Sequence, residues 1–208
     1  MNFFHAFWDW LKEEIWALVE DSRRTEKILR ALKSTFLILI PKENGTEDLG
    51  KLRPIALCNV IYKIISKVMA SCLHPLIPLI IFPEQAKFVE EGRQILEDII
   101  LVHEMMHLLK TLKTPSMLLK LDLSKSYDKL NWNFWARILR AFGFLEDWTN
   151  WVMNMVLLAF FSFFVNGSPS TPFNASKGIR QRDCFSPFVF IIMVEGNCKN
   201  ASVPVREF

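Results

Sequence analysis

Residues 117 to 124, "MLLKLDLS", alternate in a way that restricts the fold more than any other stretch. Met117, Leu119, Leu121 and Leu123 point one way, and Leu118, Lys120, Asp122 and Ser124 point the other. This pattern predicts a half-buried strand whose second face turns polar towards its end. It lies in a chain otherwise dominated by helical spacing. Phe4, Phe7, Trp8, Leu11, Ile15, Leu18 and Val19 form one stripe, with Asp9, Lys12, Glu13 and Glu20 between them, so an amphipathic helix that docks on the domain is expected. Its acidic polar face suits anionic lipid poorly. Arg23, Lys27 and Arg30 are read as one side of a second short helix.

"TFLILI" (35–40) reads as a buried strand and "PKENGTEDLGKLRP" as a long hairpin tip. A helix starts after Asn59, with Val60, Ile61, Ile64, Ile65, Val68, Met69 and Cys72 expected inward and Lys63 and Lys67 outward. Another packing helix is expected over about 95–112. A further helix carries Trp132, Trp135, Ile138, Leu139 and Phe142, with Gly143 as its C-terminal cap. "WVMNMVLLAFFSFFVNG" falls short of the roughly 18 clean apolar residues of a membrane span. It reads as a buried helix end and a strand that closes in an Asn166-Gly167 hairpin turn. Ser186-Pro187 looks like an N-cap followed by Pro at the first helical position. Strands and helices mix without a βαβ rhythm, which favours α+β.

The net charge of +3 is too weak to require a nucleic-acid partner. The N-terminus lacks a basic n-region and a cleavage site, so neither a signal peptide nor a membrane segment is expected, and the nucleus or cytoplasm is the expected location. Four scattered cysteines form no C-x-x-C pair and read as free thiols.

Three features carry candidate chemistry. "HEMMH" (103–107) matches H-E-x-x-H, so His103 and His107 would share a helix face with Glu104 as base, a zinc-peptidase pattern. A third histidine downstream is missing, leaving a carboxylate such as Asp122 or Glu146 to serve, and the flanking apolar residues favour a packing helix with incidental histidines. "KGIRQRDCFSP" (177–187) sets Lys177, Arg180 and Arg182 before a helix N-terminus, which suits phosphate but equally suits a solvated basic turn. Asp122, at the open end of a strand, stands where divalent-metal sites are often built, but a lone Asp is weak evidence.

Seven ordered segments resemble one family: "STFLILIPK", "LRPIALCNVIYKIISKVMASCL", "FPEQAKFVEEGRQILEDIILVHEMMH", "LLKLDLSKSYDKLNW", "GFLEDWTNWVMNMV", "VNGSP" and "KGIRQRDCFSP". They are similar to the reverse transcriptase domain of non-LTR (LINE-type) retrotransposons, in the form common in plants, over roughly residues 1 to 195. The resemblance implies a right-hand polymerase that extends a DNA primer on an RNA template with deoxynucleotides and two Mg²⁺ ions. It implies a helical segment at 1–33, fingers at 34–115, an incomplete palm at 116–197 and an unrelated tail at 198–208, with the thumb absent.

Asp122 matches the first metal-binding Asp and catalytic carboxylate, and Leu123 the position whose backbone carbonyl helps hold metal. Tyr127 matches the aromatic under the sugar, and Gln181 a glutamine of the nucleotide pocket. Arg53, and Lys42 in "IPK", match fingers residues that meet triphosphate or template, while Lys177 and Arg180 are expected at nucleic acid. Asp128 matches an Asp that is not a ligand and supports the following helix.

The departures matter too. The family reads R-Q-G-D-P-L-S-P where this chain has "RQRDCFSP", so Arg182 stands at a glycine position suited to unusual φ. Cys184 and Phe185 replace Pro and Leu, and "VEEGR" stands where Pro-Gly is usual. No Asp-Asp pair occurs in the 208 residues. The expectation is therefore a degenerate fragment, inactive alone, with a non-catalytic nucleic-acid-binding remnant as the alternative.

Overall fold

The computed structural model describes residues 2–46, 48–82, 95–113, 115–117, 126–157 and 160–202. In chain order these form α1 (Asn2–Ala6), α2 (Trp8–Thr25), α3 (Arg30–Lys33), β1 (Ser34–Pro41), β2 (Leu52–Cys58), α4 (Val60–Leu73), α5 (Ile77–Ile80), α6 (Ile95–Thr111), α7 (Ser126–Lys129), α8 (Trp132–Ala141), α9 (Glu146–Val156), β3 (Phe160–Val165), β4 (Ser168–Pro169), β5 (Phe173–Asn174) and α10 (Ser186–Ser202). Helices around one small sheet make the chain α+β, as expected. The predicted strand at 117–124 lies almost wholly outside the described residues, which include only Met117.

The sheet runs β2-β1-β3-β4, with β5 also on β3. β1 and β2 form the expected hairpin, in register from Thr35↔Cys58 to Pro41↔Leu52. β1 then pairs in parallel with β3, Ser34↔Phe160 to Leu37↔Phe163. The sheet thus joins strands from both sides of the expected division at 115/116. β3 turns into β4 through Asn166 and Gly167, both at positive φ (50° and 80°), the backbone that a two-residue hairpin of native twist needs.

Paired residues share a sheet face. One face carries Thr35, Leu37, Pro54, Ala56 and Phe161 and is turned to the interior, with Thr35 and Ala56 buried. The other carries Phe36, Ile40, Arg53 and Leu57, all exposed.

Asn59 caps α4 by accepting from the Ile61 N–H at 2.9 Å. The inward stripe is rotated from the predicted one. Tyr62, Ile65, Ser66, Met69, Ala70 and Leu73 are buried, Ile61, Ile64 and Val68 are partly so, and Cys72 is exposed. The cause is polar: Tyr62 and Ser66 have partners inside, so the helix turns them inwards. By length and composition Val60–Ile80 could cross a membrane, but its Tyr62, Ile65, Met69, Leu73 and Ile77 belong to the core. α8 is capped at its start by Asn131, which accepts from the Phe134 N–H at 3.1 Å. It ends as predicted at Gly143, where φ is +81° and the Gly143 and Phe144 N–H groups donate to the Arg140 and Leu139 carbonyls. Trp135, Ile138, Leu139, Trp151, Val152, Met155, Val189 and Ile192 fill the space between α8, α9 and α10.

At the N-terminus Ile15 and Val19 are buried as expected, with Phe4, Leu11 and Leu18 packed beside them, whereas Phe7 and Trp8 are exposed. The second short helix is corrected. Only Arg30 lies in α3, where its guanidinium covers the Phe160 ring at 4.2 Å, while Arg23 ends α2 paired with Glu20 and Lys27 is in the link between them. α6 covers the predicted span, but of its described side chains only Leu109 is half-buried and the others are exposed.

Candidate functional site

Residues 177–183 and 126–130, read separately in the sequence, form one structural unit. The Ile179 N–H donates to the Tyr127 carbonyl and the Gly178 N–H to the Leu130 carbonyl, both at 2.8 Å. The Trp132 indole N–H donates to the Gly178 carbonyl at 2.7 Å. Gly178 is required twice over: its φ is +88°, and a Cβ there would meet the Asp128 carbonyl oxygen at 2.9 Å.

Arg180 corrects an expectation. A contact with nucleic acid is expected of Arg180, or else a place in a solvated basic turn, but only 6% of it is exposed. Its guanidinium donates to the Tyr62 hydroxyl, and to the Met155 and Lys33 carbonyls at 3.2 Å, and it stacks over the Tyr62 ring at 4.1 Å. Burial pushes the Tyr62 phenol well above its ordinary range. Asp183 is buried beside it and accepts from Ser66 Oγ and, at 3.3 Å, from Ser186 Oγ. Burial raises the Asp183 carboxyl, with Ser66 and Arg180 opposing the shift. Lys33 is also buried. Desolvation, and then the Arg180 charge, lower its ammonium to about 8 while Nζ donates to Asn154 Oδ1.

The sequence reading missed this network, although Tyr62 and Ser66, four apart on an otherwise apolar helix, were its visible sign. Ser186 is corrected with it. It lies within α10, its hydroxyl serves Asp183, and the Phe185 carbonyl accepts the first amides.

On the solvent side of the same loop, Ser126, Tyr127, Asp128, Gln181 and Arg182 line an open cleft. Tyr127 is half-buried and stacked on Phe190, with centroids 5.0 Å apart, and burial raises its phenol. Gln181 Nε2 donates to Asp128 Oδ1 at 3.3 Å. Asp128 is thus bonded to a residue 53 positions along the chain, whereas it is expected to support the helix that follows it. Arg182 is exposed with φ +66°, a conformation in keeping with the glycine position at which it stands. Tyr127 and Gln181 are therefore brought together. Lys42 and Arg53 are not part of this cleft. Both are exposed on the β1–β2 hairpin, Lys42 Nζ donating to the Gly50 carbonyl at 3.3 Å and Arg53 facing away from Pro54 and Ala56. Lys177 is exposed. Asp122 and Leu123 lie outside the described residues. His103, Glu104 and His107 are exposed on α6, and among the described residues no group of three His, Cys, Asp or Glu side chains could hold a metal, so the zinc reading finds no third ligand there.

The family model for reverse transcriptase (RNA-dependent DNA polymerase) matches residues 40–202. The chain belongs to the reverse transcriptase family. It is 23% identical over 195 residues to the "Transposon TX1 uncharacterized 149 kDa protein" of Xenopus laevis, across 94% of this chain and 15% of that protein. It is also 23% identical over 168 residues to the "Retrovirus-related Pol polyprotein from type-1 retrotransposable element R2" of Popillia japonica, across 80% of this chain and 23% of that protein. The chain thus spans a minor part of these relatives' length, and it is a reverse transcriptase domain of the non-LTR retrotransposon type. Reverse transcriptase domains generally use divalent metal ions, and the family implies a nucleic-acid template and primer. The donor set described in this chain falls short of such a metal site: the cleft's described carboxylate is Asp128, already bonded to Gln181.

Proposed function

We propose that the chain forms the fingers and the first part of the palm of a right-hand RNA-directed DNA polymerase, with fingers at 34–115, palm at 116–197, a helical segment at 1–33 and a tail at 198–208. The observation that supports this reading is the docking of residues 177–183 on 126–130, which sets Gln181 against the Tyr127-Asp128 pair. Tyr127 would lie under the sugar of an incoming deoxynucleotide and Gln181 beside its base. Lys42 and Arg53 on the hairpin would meet triphosphate or template, and Lys177 the nucleic-acid backbone. Asp122 and the Leu123 carbonyl would hold divalent metal, which when bound activates the primer hydroxyl and neutralises the leaving pyrophosphate.

The reading is tested by fluorescence anisotropy of an RNA–DNA hybrid across a salt series. Affinity is expected to fall with salt, and Arg53→Ala and Lys177→Ala should each reduce the slope by about one unit. Affinity indifferent to salt would count against it.

A second reading, a nucleic-acid-binding remnant without catalysis, draws on the absence of an Asp-Asp pair from these 208 residues and on Arg182 at a glycine position. With one carboxylate of an expected three, the chain by itself is proposed to be catalytically inactive, because losing one essential group of this kind costs several powers of ten in rate.

A further inference from the structure

Residues 180–183 divide between two environments. Arg180 and Asp183 are buried, whereas Gln181 and Arg182 line the open cleft over Tyr127. Both inward side chains reach the same helix. The Arg180 guanidinium donates to the Tyr62 hydroxyl, and Ser66 Oγ donates to the Asp183 carboxylate. Ser66 Oγ also accepts from the Phe185 N–H at 3.2 Å. Tyr62 and Ser66 are four apart on α4, so they share one face of it, and both are buried. α4 therefore holds the loop at two points, one on each side of residues 181 and 182.

The stretch between these points is not relaxed. Arg182 has φ +66°, a left-handed backbone that is unfavourable for a residue carrying a Cβ. Such a conformation persists where the surroundings over-determine it. The bonds from Gly178 and Ile179 to residues 126–130 hold only the upstream side. Downstream, Asp183 and the Phe185 N–H are held by Ser66. Releasing either point lets residue 182 return to negative φ, which turns Gln181 away from Asp128. The bond between Gln181 Nε2 and Asp128 Oδ1, exposed and 3.3 Å long, is too weak to hold that arrangement alone.

We propose that Tyr62 and Ser66 are positioning residues for the cleft: from α4 they clamp Arg180 and Asp183, and so hold Gln181 against Asp128. Neither side chain lines the cleft itself. The consequence for nucleotide binding rests on the reading of Gln181 as a residue of the nucleotide pocket, whereas the clamp does not.

The test follows the side-chain amide of Gln181 by NMR in the full chain, together with the affinity for dGTP in Mg²⁺. Tyr62→Phe keeps the ring beneath Arg180 and removes only the hydroxyl, so it is the milder variant, and Ser66→Ala releases the other point. In both, the Gln181 amide resonance should move to the shift of a solvated glutamine. The dGTP affinity should fall about tenfold, as expected for one lost hydrogen bond. Ile138→Val serves as the control. It removes one buried carbon from α8 where it packs on Gly196, with a comparable loss of stability, and should leave both the resonance and the affinity unchanged. A Gln181 resonance unmoved in both α4 variants, or moved as far by Ile138→Val, would overturn the proposal. If dGTP does not bind the native chain, the nucleotide reading falls, and the Gln181 resonance alone decides the clamp.

Discussion

The loop around Arg180 and the helix α6 are opposites. The loop is polar in sequence and buried in the structure: Arg180 and Asp183 are inside, tied to Tyr62, Ser66 and Lys33 across more than a hundred residues of chain. α6 is apolar in sequence and outside: Leu96, Ile99, Leu101, Met105 and Leu108 are each at least half exposed. Hydrophobicity alone therefore does not decide burial here. Glu97, Asp98, His103, Glu104, His107 and Lys110 are spread among the apolar residues of α6, so no clean apolar stripe faces a core. A short polar loop with a complementary set of donors and acceptors can be held within one, because each buried polar group there removes the desolvation penalty of another.

Substitutions in the loop and in α6 should differ in their effect on stability. The largest effect is expected at Gly178, where Gly178→Ala meets both a positive φ and the Asp128 carbonyl and should destabilise by about 2–4 kcal/mol in urea titration. An unchanged midpoint would mean that the loop is not docked as described. Next is pH. The Lys33 ammonium, lowered by burial to about 8 from an ordinary 10.5, is protonated in both folded and unfolded chains below pH 8, where the folded state bears its desolvation. Between about pH 8 and 10.5 the unfolded chain binds the proton and the folded chain does not. Stability relative to a Lys33→Met variant should then rise with pH, by roughly 1–3 kcal/mol across the window. A difference that stays flat would place Lys33 in water. A smaller gain, about 0.5–1 kcal/mol, is expected for Arg182→Gly, which relieves the left-handed backbone at some entropic cost in the unfolded chain. The smallest is Leu101→Gln on α6, expected to shift stability by under about 0.5 kcal/mol, and a large loss there would contradict its exposure.

Much of the fold is legible where the signal is local. The Asn166-Gly167 turn, the Gly143 cap and the helix-to-strand change after α9 are written in a few adjacent residues, and each has the predicted form. The strained φ at Arg182 fits the family glycine that it replaces. What was illegible is non-local. Nothing near Arg180 indicates that Tyr62 waits inside, so an arginine between Lys177 and Arg182 reads as solvated. The inward face of α4 differs from the expected one for the same reason: a stripe of apolar residues omits Tyr62 and Ser66, which are buried. At the candidate site the pairing of Tyr127 with Gln181 accords with the resemblance, while Lys42 and Arg53 stand apart from that cleft.

This reverse transcriptase domain has no Asp-Asp pair in its 208 residues and is proposed to be inactive by itself. Primer extension by the purified chain on an RNA template, with Mg²⁺ or Mn²⁺ and an Asp122→Ala control, tests it most directly. No extension above the control is expected. Extension that disappears in Asp122→Ala would contradict it.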